Sequence, residues 1–306
     1  MKTLGAGKRI AIDNVLFATD FSPHSNAALP YVLAIAHQFG ARLFGAHVLS
    51  SDDYLFFAPE AWSAHIQREE QLQQEAVAHL EQQLRGVPHQ ALCEVGDVSD
   101  VLYRLIAEHD IGLLVIGTHG RTGARKLFMG SIAEKIFRQA GCPVLTVGPN
   151  VVHQQKSVAE FNQILLATDF GEESPAAASY AVCLAQEHQA RLSLLHVVAP
   201  PHAATIDLQS NSDLLIRRLQ ELVPPDIELW CHPEYFIQPG PPAERILQFS
   251  GAHGVDLIVM GVRPAHRAVS AVTHLAHTTA HHIVAHAKCP VLTVRVERRC
   301  GAEERV

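Results

Sequence analysis

No apolar run in this 306-residue chain reaches the roughly 20 residues that a bilayer-spanning helix needs. No long basic block is present and the formal net charge is -7, so neither duplex nucleic acid nor a membrane is an expected partner. The six cysteines contain no C-x-x-C pair and none of the spacing of secreted disulfide frameworks, which points to a reduced, cytoplasmic setting. Met1 to Arg9 is basic, but no apolar signal region follows it. Charged residues are scarce at 18% against 48% hydrophobic, which excludes general disorder and leaves enough apolar chain for two α/β cores. Two nucleotide motifs are also missing. There is no G-x-x-x-x-G-K-[ST] loop. The first strand runs into Asp20-Phe21-Ser22-Pro23, where a dinucleotide fingerprint would need glycines.

What the chain does contain is itself, twice. Val15-Leu16-Phe17-Ala18-Thr19-Asp20-Phe21 recurs as Ile164-Leu165-Leu166-Ala167-Thr168-Asp169-Phe170, 149 residues on. Ala41-Arg42-Leu43 and His47-Val48 recur at the same offset, and Cys142-Pro143-Val144-Leu145-Thr146-Val147 recurs as Cys289 to Val294 at an offset of 147. Such self-similarity implies duplicated domains, here 1–149 and 160–306, with 150–159 as linker. In the first, strands are expected near 13–19, 41–48, 89–95, 112–117 and 143–147, and helices near 24–39, 62–85, 98–109 and 131–140. In the second, strands are expected near 162–168, 190–197, 227–235, 256–261 and 290–296. Continuous apolar strands alternating with longer amphipathic stretches imply mainly parallel sheets covered on both faces. Ligands on such sheets sit beyond the carboxyl ends of the strands.

The most informative stretch is Gly117-Thr118-His119-Gly120, followed after nine residues by Gly130-Ser131. It lies between the apolar run Ile111 to Ile116 and a helical pattern starting at Ile132. Glycine lets backbone N–H groups approach an anion, and a helix start offers unpaired N–H groups and a positive dipole end. Hydrogen bonds of that kind to a charged phosphate contribute about 1.5–3 kcal/mol each. Ser131 adds a hydroxyl, and Arg121, Arg125 and Lys126 add cations. The glycines would equally serve a plain tight turn, and Asp20 would equally cap the next helix.

The duplicated Ala-Thr-Asp-Phe strands and the Gly117-x-x-Gly120-x9-Gly130-Ser131 spacing resemble the universal stress protein family, in a tandem form that covers nearly the whole chain. The resemblance implies two tandem doubly wound, Rossmann-like, three-layer α/β/α domains with mainly parallel five-stranded sheets. Members with this glycine motif bind ATP, and others lack it and do not; ATP with Mg2+ is therefore the expected cofactor. Matching positions place Ala18 and Asp20 beside the adenosine and Val48 against adenine. Ile116, Gly117 and Gly120 match the phosphate loop, and Gly130, Ser131 and Ile132 the phosphate-holding helix start. In the family the closing strands of two domains pair antiparallel, so Pro143 to Val147 is expected to pair with Pro290 to Arg295 as an internal pseudo-dimer. Self-association of the whole chain is left open.

The second copy keeps Gly261 but places Pro264 opposite Gly120 and His277-Thr278 opposite Gly130-Ser131, in a loop three residues longer. Proline offers no N–H, so one competent nucleotide site per chain is expected, in the first domain. Asp52 to Phe57 is read as a loop folded on its own domain, with a lid as the alternative. His274, His277 and His281, and the pair His282/His286, have helical spacing. The pair lacks the Glu of H-E-x-x-H, so packed or solvated histidines are expected rather than metal. Cys142 and Cys289 read as small buried thiols. No general base with a metal partner is identifiable beside the glycine loop, so slow ATP hydrolysis at most is expected, and no catalytic residue is assigned. The expected function is a nucleotide-binding regulator of stress response. The alternative is an interaction module of the same fold that works without nucleotide.

Overall fold

The structure, a computed structural model, describes residues 10–50, 62–118, 131–151, 159–200, 208–263 and 278–295. The first half runs β1 (Asn14–Ala18), α1 (Pro23–Asn26), α2 (Leu29–Phe39), β2 (Arg42–Ser50), α3 (Trp62–Gln83), β3 (His89–Gly96), α4 (Val98–Glu108), β4 (Leu113–Gly117), α5 (Ser131–Gln139) and β5 (Val144–Val147). The second runs β6 (Gln163–Thr168), α6 (Ser174–His188), β7 (Arg191–Val198), α7 (Leu208–Gln220), β8 (Glu234–Pro239), α8 (Pro242–Ala252), β9 (Leu257–Gly261), α9 (Thr279–His286) and β10 (Val291–Val294).

The apolar strands are buried on both faces, and their side chains alternate between two cores. Val15, Phe17, Leu113 and Val115 enter a core shared with α2 and α6. Leu16, Leu114 and Ile116 enter the opposite core, with residues of α4, α5, α8 and α9. Ile164 and Leu166 against Leu165 and Ala167 repeat the division in the second half. The result is three layers, helices on each side of a sheet.

The strands form one continuous ten-stranded sheet in the order β3-β2-β1-β4-β5-β10-β9-β6-β7-β8. Within each half every neighbour pair is parallel. Among the described residues only the central pair, β5 with β10, is antiparallel, with Leu292 opposite Leu145. Thr146 Oγ1 donates to the Val291 carbonyl at 3.1 Å, and Thr293 Oγ1 donates to the Val144 carbonyl at 3.2 Å. Each threonine is the other's repeat, so the seam is self-complementary, like an isologous dimer contact within one chain.

Two expectations are corrected. The strand expected at 227–235 lies at Glu234–Pro239, and Ile227–Leu229 is a 3-10 turn instead. Cys231 N–H bonds to the Ile227 carbonyl at 2.8 Å, which closes that segment into a turn and buries both side chains. The helix expected at 24–39 is divided into α1 and α2. Pro30 has no N–H to continue a helix, and it sits in the first turn of α2, where none is needed.

Candidate functional site

In each half the strand order reverses direction of travel between two neighbours, β1 and β4 in the first and β6 and β9 in the second. A crevice opens at such switch points, beyond the carboxyl ends of the strands. The first switch point is bordered by the turn after β1. Thr19 Oγ1 accepts from Phe21 N–H at 3.0 Å, and Asp20 Oδ1 accepts from Ser22 N–H at 3.0 Å. Ser22, rather than Asp20, caps α1 by accepting from Ser25 N–H. Phe21 stands at φ 61°, a left-handed conformation that bulky residues avoid. Its ring lies 4.5 Å from those of both His47 and His79, and His47 Nδ1 donates to the Thr19 carbonyl at 2.8 Å. These contacts hold the strained turn that carries Asp20.

Ala18 and Ile116 are register partners across β1 and β4. Both lie, with Val48, on the face toward α4 and α5. Gly117 ends β4. A Cβ on Gly117 would stand 2.9 Å from Ser25 Cα and 3.0 Å from the His24 carbonyl oxygen. Glycine is thus required there by the close approach of α1, whatever binds nearby. Ser131 opens α5, and Ile132 behind it is 46% exposed. Gly120, Gly130, the loop cations Arg121, Arg125 and Lys126, and the segment Asp52 to Phe57 lie outside the described residues, as do the Ser131 side chain and Pro264, His274 and His277.

The second half shows what this arrangement encloses. Its turn is the same: Phe170 at φ 58°, Phe170 N–H to Thr168 Oγ1 at 3.0 Å, and Gly171 N–H to Asp169 Oδ1 at 2.8 Å. The Phe170 ring lies 4.4 Å from that of His196, with the Arg218 guanidinium 4.1 Å above it. At the switch point is a crevice of about 570 Å³. Ala167, Asp169, Val197, Met260 and Gly261, the counterparts of Ala18, Asp20, Val48, Ile116 and Gly117, line it. Thr278 and Thr279, opposite Ser131 and Ile132, line it too. Thr278 caps α9 by accepting from His281 N–H at 3.2 Å.

Three features of this crevice were not read from sequence. Arg263 Nη2 donates to Asp169 Oδ2 at 2.9 Å. Phe137 of α5 reaches over from the first half as part of the wall. Arg295 donates to the Phe137 carbonyl and also lines the space. No local pattern joins residues so far apart in the chain, so only the packed fold reveals them.

His281 is buried, while the rings of His282 and His286 stack at 4.2 Å and His286 Nδ1 donates to the His282 carbonyl at 2.9 Å. Burial lowers the His281 and His282 pKa values, and neighbouring histidines add to it. Among the described residues no group of three or more His, Cys, Asp or Glu side chains is placed to hold a metal. Cys142 and Cys289 are buried, and burial raises the Cys289 thiol to about 11. No helix among the described residues is long and apolar enough to cross a membrane.

The fold defines a tandem α/β protein in which two copies of one scaffold share one sheet. A family model described as the universal stress protein family matches residues 11–148 and again 160–295, and the chain belongs to that family. A universal stress protein of Thermus aquaticus is 34% identical over 137 residues, covering 44% of this chain and 96% of its own length. One from Bacillus subtilis is 30% identical over 147 residues, covering 44% and 98% respectively. The crystal structure of a universal stress protein from Archaeoglobus fulgidus superposes with a TM-score of 0.72 at 18% identity, covering 94% of this chain and 99% of that one, and shows the same fold.

Proposed function

We propose that the first half binds ATP, with Mg2+, and that the bound nucleotide sets the state of a stress-response regulator in the cytoplasm. The observation that carries the reading is the crevice at the second switch point, lined by the counterparts of the residues expected to hold nucleotide in the first. A volume of about 570 Å³ with mostly apolar walls suits an adenosine-sized group. On this reading Ala18, Val48 and Ile116 offer the apolar wall and Asp20 accepts from sugar hydroxyls. The N–H groups of Gly117, Gly120, Gly130, Ser131 and Ile132 face the phosphates. Mg2+ would accompany the phosphates and offset their charge.

Residues 1–149 form the nucleotide-binding domain, 150–159 the linker, and 160–306 a second domain with a degenerate motif that stands where a second subunit would. Turnover is slow at most. Calorimetric titration of the whole chain with Mg-ATP is expected to give one equivalent. Asp20→Ala should weaken binding by about tenfold to a hundredfold, the loss of hydrogen bonds to a charged acceptor. Asp169→Ala should leave it unchanged. Two equivalents would overturn the assignment to one half. No binding, and no adenine nucleotide released on denaturing fresh protein, would favour the nucleotide-independent interaction module. Multiple turnovers well above background would make the protein an enzyme.

A further inference from the structure

The second crevice differs from a nucleotide site in its charges as well as its loop. Its described walls are largely apolar, with Val197, Ile246, Met260 and Phe137 among them. Among the described residues, three charged side chains line it: Asp169, Arg263 and Arg295. Arg263 stands where the first half has His119, two residues beyond the strand-ending glycine. Its bond to Asp169 occupies an oxygen of the carboxylate that the other half would turn toward a sugar. Both partners are about two-thirds exposed, at 70% and 67%. Exposed pairs of this kind are weak and easily exchanged. The amino end of α9, capped at His281 N–H by the Thr278 hydroxyl, opens into the same space.

We propose that this crevice binds a small amphipathic anion, an apolar body with one carboxylate or one phosphate head, and that Arg263 is the switchable contact to the head. The apolar body fills the space against Ile246 and Met260. The head meets Arg263, which exchanges Asp169 for the ligand. Because Phe137 comes from the first half, the site exists only in the whole chain. The inference does not rest on nucleotide binding by the first half.

The test is calorimetric titration of the intact protein with 2-naphthoate, with 1-naphthyl phosphate and with neutral 2-naphthalenemethanol. One equivalent of an anion is expected to bind, about tenfold or more tighter than the alcohol. The tighter of the two anions identifies the head. Arg263→Gln should weaken the anion by about tenfold, and Asp169→Asn should strengthen it by about threefold by releasing Arg263. Ala199→Trp, on the crevice wall, should abolish binding while thermal melting shows a folded chain. The proposal is overturned if no anion binds, if the alcohol binds as well as the anions, or if binding persists in Ala199→Trp. It is also overturned if Arg263→Gln and Asp169→Asn move affinity in the same direction. These two exposed substitutions keep the test decisive should the tryptophan variant fail to fold.

Discussion

Gly117 and Gly120 stand three residues apart in the first half, yet only Gly117 has a glycine counterpart, Gly261, in the second. The structure explains the survivor. A Cβ on Gly261 would stand 2.8 Å from Glu173 Cβ and 3.1 Å from its carbonyl carbon, the same obstruction that Ser25 and His24 present to Gly117. A glycine demanded by packing is present in both copies, while the glycines placed in the loop beyond it are present in one. The turn after the first strand follows the same rule. Phe21 and Phe170 share a left-handed backbone, and Thr19 and Thr168 tie that turn in the same way. What the two halves share is therefore the scaffold of a crevice. What separates them is the chemistry at its mouth.

The hardest blow to that comparison would come from the shared glycine itself. Gly117→Ala and Gly261→Ala should each destabilise the protein by about 1–3 kcal/mol, the cost of overpacking against atoms that cannot swing aside. Denaturant unfolding of both variants checks this. If Gly261→Ala were harmless and Gly117→Ala costly, the glycine would be retained for ligand rather than for packing.

Much of this was legible in advance, for physical reasons that particular residues make clear. Runs such as Leu113 to Ile116 announce strands buried on both faces because every side chain has a core to enter. The seam between the repeated Cys-Pro-Val-Leu-Thr-Val segments is the one that the family resemblance implies. The 227–235 segment misled because Ile227 and Cys231 are buried in a turn rather than along a strand. Gly117 misled in another way: spacing reveals that glycine is wanted, but not whether a ligand or a neighbouring helix wants it. The Arg263–Asp169 bond could not be read at all, because it joins residues brought together only by the parallel pairing of β6 and β9.

A smaller test sharpens the comparison at the end of the first long helix in each half. Gly40 closes α2 at φ 62°, and Gln189 closes α6 at φ 53° in the same left-handed geometry. A residue with a Cβ pays steric energy there that glycine avoids, partly offset by the extra freedom glycine has when unfolded. Gln189→Gly should therefore stabilise the protein by about 0.5–1 kcal/mol, and Gly40→Gln should destabilise it by a similar amount. Paired thermal and denaturant melts would show it. Equal and opposite shifts are expected, because the two helices are capped through the same backbone bonds, to the residues three and four positions earlier.

The smallest effect concerns acid, and it belongs to the second half. His188, His196 and His281 are held below the ordinary histidine range, in each case chiefly by burial. Nearby carboxylates, Glu187 at His188 and Glu134 at His281, only partly oppose this. His188 Nε2 is buried with no hydrogen-bond partner among the described residues, in a groove also lined by His37, Gln38 and Glu160 where the two halves meet. A depressed histidine is neutral in the folded chain while the unfolded chain takes up its proton near pH ~6.5, the usual value. Its contribution is therefore intact above that pH and is lost as pH falls through the folded value. Melting temperature should drop between about pH 8 and about pH 5, and less steeply in His188→Leu, which has no proton to gain. An unchanged slope in that variant would place the acid sensitivity away from the junction, on His196 and His281 beside the second crevice.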